Sequence, residues 1–167
     1  MLTYSHAVVG YLAFFKTSSR ARKLAIWGSI TPDILLVVGF LFLGIGNIFG
    51  GSSAHEIHMA VHRAEVPQAI TNALHSIIII APIALIVGLI WESVFPFFAG
   101  ILLHIGIDFL THQKWPYNHL YPIDAEPVVA ILSFWNPWFI AIEHGILFVL
   151  IVIFYIRRRR THAKDSQ

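Results

Sequence analysis

The sequence predicts an all-α protein built as an integral membrane helical bundle. Three observations carry this reading. Of 167 residues, 57% are hydrophobic and 12% charged, against about 25% charged in an ordinary soluble domain. Mean hydropathy is +0.72, and several apolar runs approach or pass the ~20 residues that cross a bilayer core. The basic residues gather beside those runs. Lys16, Arg20, Arg22 and Lys23 form one cluster, and Arg157–Arg160 with Lys164 form the other.

A pI of 9.1 raises the question of nucleic acid. Charges placed at the ends of apolar segments are instead topology signals under the positive-inside rule. No nucleic-acid partner is expected. The lipid bilayer is, including its anionic headgroups. The chain has no cysteine, which excludes disulfides and thiolate metal sites. Any metal must be held by His, Asp or Glu, a donor set that suits zinc, manganese or iron. Ten histidines are many for so apolar a chain.

In chain order, Leu2–Phe15 is a short apolar segment carrying His6. At ~1.5 Å per residue it reaches about 21 Å, so it dips into the membrane without crossing it. No positive charge precedes it and a basic stretch follows, unlike a signal peptide. Leu24–Gly46 is the first expected span, with Pro32–Asp33 inside it, and Asn47–Ser53 reads as a loop. Ala54–Val66 is an extracytoplasmic amphipathic helix with His55, His58 and His62 along one face. Thr71–Ser93 is the second span, with His75 near its start, and Phe95–His112 the third. An aromatic, proline-punctuated loop over 113–136 contains His119, Asp124 and Glu126. Trp138–Ile156 is the fourth span, containing Glu143–His144. Residues 1–160 form a single membrane domain and 161–167 a disordered tail. With both basic clusters in the cytoplasm, four spans return the chain to its starting side.

The chemistry concentrates in Gly100–His112, GILLHIGIDFLTH. His104, Asp108 and His112 fall at i, i+4 and i+8. Each step of four drifts only about 40° on a helix, so all three share one face. Ionisable groups on an apolar helix are expensive to leave unpaired, and a metal ion is the simplest compensation. Depth supports this. At ~1.5 Å per residue, His6 and Asp33 lie roughly 15 Å deep, His104 roughly 14 Å, Asp108 and Glu143 roughly 20 Å, and His75 roughly 25 Å. These residues occupy one slab, from mid-membrane to the outer half, whereas His112 lies near the outer surface as a supporting group.

Such a slab suits one or two divalent ions, zinc first among them, activating water for hydrolysis. Asp108 could bridge two ions, and Asp108 and Glu143 are the candidate catalytic carboxylates. Intramembrane Asp, Glu and His also suit a metal-ion or proton transporter or channel. A third reading is a structural membrane protein whose metal pins helices together. The cytoplasmic third of each span is nearly bare of polar groups, which favours a pocket opening toward the extracytoplasmic half.

His6, Pro32–Asp33, His62–Arg63, His75–Ser76, HIGIDFLTH at 104–112 and Leu120–Pro122 together resemble a known family. It is that of membrane-bound predicted metal-dependent hydrolases, of the LexA-regulated inner-membrane type. More distantly, the order His, Asp, His, His-x-x-x-Asp is similar to the zinc-dependent phospholipase C and P1-nuclease group. The resemblance implies hydrolysis of a membrane or membrane-proximal ester, a phosphoester or phospholipid-like substrate. It also implies metal ligands at His6, Asp33, His104 and Asp108, with His62 or His75 in the remaining position.

Overall fold

The computed structural model describes residues 2–34, 37, 38, 41, 51, 56, 65–113, 117–123, 130–133 and 136–165. Among them the regular elements are all helical. They are α1 (Thr3–Ala13), α2 (Ser19–Ile30) running into a 3-10 turn at Thr31–Asp33, α3 (Glu65–His75), α4 (Ile77–Ile90), a 3-10 turn at Glu92–Val94, α5 (Phe95–Thr111) and α6 (Pro137–Asp165).

Helix α2 starts within the basic cluster, ahead of the expected Leu24. Ser18 caps it, its hydroxyl accepting from the Ala21 N–H at 3.2 Å, which satisfies one of the orphan donors of the first turn. Pro32 then tightens the chain into the 3-10 turn that presents Asp33. Most of the expected first span beyond Ile34 lies outside the described residues, as do His55, His58, His62, Asp124 and Glu126. Glu65 and Val66, the end of the expected amphipathic segment, belong to α3.

The expected second span is a broken helix. Gln68–His75 and Ile77–Ile90 bend by 55° at Ser76. Ser76 stops one helix and caps the next: its hydroxyl accepts from the Ile79 N–H at 3.3 Å and donates to the Tyr121 carbonyl. The loop at 117–123 fills the remaining gap. Ile77 N–H donates to the His119 carbonyl at 2.9 Å, and His119 Nδ1 lies 3.0 Å from the His75 carbonyl. Backbone groups freed by the break are thereby satisfied, as burial requires.

Among the described residues, two stretches are long and apolar enough to cross a membrane, Glu92–Thr111 and Pro137–Arg157, and a third if the bent pair is one span. These match the third, fourth and second expected spans. Helix α6 continues past Arg157–Arg160 to Asp165, beyond residue 161 where the sequence suggests a tail.

Helices α1, α2 and α5 pack closely through small residues. A Cβ built on Gly28 would lie 1.9 Å from the Phe97 carbonyl oxygen, and one on Gly100 would lie 2.3 Å from that of Ala25. The α2 and α5 backbones are thus in direct contact, the use membrane helices make of small residues. Across α5, Ile101 and Ile105 pack on Ile80 of α4 with Phe97, Phe98 and Leu102 around them. Helix α6 meets α1 by edge-on contacts of Tyr11 and Phe15 with Phe154 and by a hydrogen bond between Tyr4 and His144.

Candidate metal centre

Four side chains from three segments converge. Asp33 comes from the turn after α2, His75 from the last residue of α3, and His104 and Asp108 from successive turns of α5. One ligand atom from each lies within 4.8 Å of every other, and all four residues are buried. His104 Nε2 stands 3.0 Å from Asp108 Oδ2, 3.2 Å from His75 Nε2 and 3.6 Å from Asp33 Oδ1. His75 Nε2 stands 3.5 Å from Asp108 Oδ2 and 3.9 Å from Asp33 Oδ1.

These edges can be tested against a metal. Four ligands at about 2.0–2.1 Å around a tetrahedral ion lie about 3.3–3.4 Å from one another. The five measured edges, from 3.0 to 3.9 Å, bracket that value. The donor set, two imidazole nitrogens and two carboxylate oxygens, fits a divalent cation. Two ionised carboxylates among neutral imidazoles would leave two buried negative charges, which a dication offsets.

The outer atoms are fixed as metal ligands require. His104 Nδ1 donates to the Ser29 carbonyl at 2.7 Å, and His75 Nδ1 to that of Thr71 at 2.8 Å. Each bond selects the tautomer whose Nε2 lone pair faces the centre. Thr3 Oγ1 donates to Asp33 Oδ2 at 2.7 Å, leaving Oδ1 to the cluster. Asp108 turns Oδ2 to the cluster and Oδ1 away from it, toward His6 Nε2 at 3.0 Å and His112 Nδ1 at 3.2 Å.

The expected ligands therefore divide. Asp33, His75, His104 and Asp108 come together. His6 is at the centre too, its ring stacked on that of His104 at 3.8 Å, but it faces the second oxygen of Asp108. His112 shares that oxygen and is buried. His62 lies outside the described residues. Glu143 is buried on α6, is not a member of the four-residue group, and neither of its oxygens has a hydrogen-bond partner among the described residues.

Sequence reasoning named His112 as a supporting group but missed Tyr117, Thr3 and Thr71. Tyr117 is buried and stacks on His75 at 3.8 Å. Burial, reinforced by the nearby carboxylates Asp33 and Asp108, pushes its hydroxyl well above the usual phenol range. It therefore stays protonated at neutral pH. Burial also lowers His119, which keeps the ring neutral with one N–H for the His75 carbonyl. Thr3 and Thr71 carry no pattern of their own; the one available signal is that Thr71 stands four residues before His75 on a helix.

Fold and site together define an all-helical protein with two to three helices of spanning length and a buried Asp/His group able to hold a metal ion. Comparison with family models, curated proteins and solved structures returns no match.

Proposed function

We propose that the protein is a membrane-embedded, metal-dependent hydrolase acting on a phosphoester, with phospholipid-like esters the leading substrates. The carrying observation is the Asp33/His75/His104/Asp108 set, whose measured ligand–ligand edges run from 3.0 to 3.9 Å, with an outer atom of each side chain held by a neighbour. A divalent ion bound there, zinc first among candidates, supplies Lewis acidity and lowers the pKa of water toward ~7. The chain's own contribution is to fix those ligands and to keep bulk water out. Glu143, the buried carboxylate outside the ligand set, is available to take up a proton. Exposed apolar side chains such as Leu89 and Trp138 suit contact with lipid. With both basic clusters cytoplasmic, the site opens toward the extracytoplasmic half.

One observation favours a second reading. Four protein ligands, all buried, would fill the four positions of a closed structural zinc site. In that case the metal only pins α2, α3 and α5 together. The two readings separate experimentally. Protein purified in detergent is assayed for bound metal and for cleavage of a chromogenic phosphodiester and of phospholipid vesicles, beside His104→Ala and Asp108→Ala. Hydrolysis lost with the metal in both variants supports the enzyme. Bound metal, a chelator-sensitive melting temperature and no cleavage of any ester supports the pin. Wild type without stoichiometric metal sinks both.

A further inference from the structure

The geometry points to a second cation position beside the first, formed by His6 Nε2, His112 Nδ1 and Oδ1 of Asp108, with Asp108 bridging the two. This rests on the metal-centre reading above. Each oxygen of Asp108 faces a different pair of imidazoles: Oδ2 faces His104 and His75, and Oδ1 faces His6 at 3.0 Å and His112 at 3.2 Å. Both latter distances fall close to the about 3.3 Å edge between two ligands of one ion.

His6 is buried, and among the described residues its ring nitrogens have no well-aligned hydrogen bond beyond the 3.0 Å contact of Nε2 with Asp108 Oδ1. His75 and His104 each have Nδ1 committed to a carbonyl, whereas His6 does not. A cation held by His6 Nε2 and Asp108 Oδ1 would replace this single 3.0 Å contact with two ligand bonds. Three protein ligands leave a position open, which the closed four-ligand set does not. Open three-ligand sites are the catalytic kind, and paired ions suit phosphodiester chemistry. On this assignment the first ion organises the helices and the second offers the exchangeable position.

Full-length protein in detergent, stripped of metal, is titrated with Mn2+ alone and followed by elemental analysis and electron paramagnetic resonance. The expected result is about two equivalents per chain with a spin-coupled signal, as for ions sharing a bridge. His6→Gln and His112→Gln keep a polar side chain but lose the imidazole lone pair. Each should bind about one equivalent and give an uncoupled signal, with unchanged helical circular dichroism. Wild type saturating at one equivalent, removed by His75→Ala, overturns the second site and leaves the first standing. Glutamine variants that retain two equivalents also overturn it. No binding at all overturns both sites. The wild-type count and coupling need no variant to fold.

Discussion

His104 Nδ1 reaches the carbonyl of Ser29 at 2.7 Å, across 75 residues of sequence. That bond is possible because Gly28 and Gly100 let the α2 and α5 backbones touch one turn away. A packing stripe that looks merely structural therefore sets the tautomer of a candidate metal ligand.

Gly28→Ala tests this coupling. Alanine favours an interior helix position by about 1 kcal/mol over glycine. The added Cβ, however, would lie 1.9 Å from a backbone oxygen, and overpacking of that kind costs about 1–3 kcal/mol. Overpacking should win. The expected outcome is a lower melting temperature in detergent together with weaker metal retention against a chelator. Gly106→Ala, where nothing lies within 4 Å of the new Cβ, should raise the melting temperature slightly and leave metal retention unchanged.

Thr3→Val probes the support of Asp33. It removes the 2.7 Å hydrogen bond to Oδ2 while nearly conserving volume. Loss of such outer partners typically costs 10–100-fold in metal affinity or activity. A drop of about that size in competition with a fluorescent zinc chelator is expected, without loss of helical content. Unchanged affinity would show that Asp33 is held by the turn alone.

Much of this centre was legible in the sequence because helical periodicity exposes it. His104, Asp108 and His112 share a face by spacing alone, and Pro32–Asp33 is conspicuous in an apolar run. What spacing could not give was depth. A straight second span places His75 roughly 25 Å deep and His104 roughly 14 Å, yet their Nε2 atoms are 3.2 Å apart. The 55° break at Ser76 makes the difference, and no residue there is a strong helix breaker. Partners of Ser76 lie 45 residues away in the 117–123 loop, beyond the reach of any local pattern. Tyr117 was invisible for the same reason: an aromatic residue in a proline-rich loop looks interfacial until the loop folds back.

Tyr117 should act mainly through its ring. The ring stacks on His75 at 3.8 Å, an arrangement worth about 0.5–1.5 kcal/mol beyond burial. Tyr117→Phe keeps the stack, so metal affinity should stay within a few-fold of wild type. Tyr117→Ala removes it and opens a cavity beside the ligand; affinity should fall by about tenfold, as a stack of this strength allows. Equal affinities for Phe and Ala would assign the ring no part in holding His75.

Ser76→Ala addresses the break itself. One hydroxyl both accepts from the Ile79 N–H at the start of α4 and donates to the Tyr121 carbonyl. Losing an N-cap of this kind costs about 0.5–2 kcal/mol, and the Tyr121 carbonyl loses its donor as well. Because His119 bonds the backbone on both sides of the same break, the loop and the helix ends should loosen as a unit. Amide exchange should therefore rise together at Ile77, Ile79 and across 117–123, while α5 stays protected. Since His75 is the residue before Ser76, its Nε2 would be held less firmly and metal would dissociate faster. Faster exchange confined to Ile79, with metal release unchanged, would mean that the Ser76 hydroxyl only caps α4 and that the bend is held by packing.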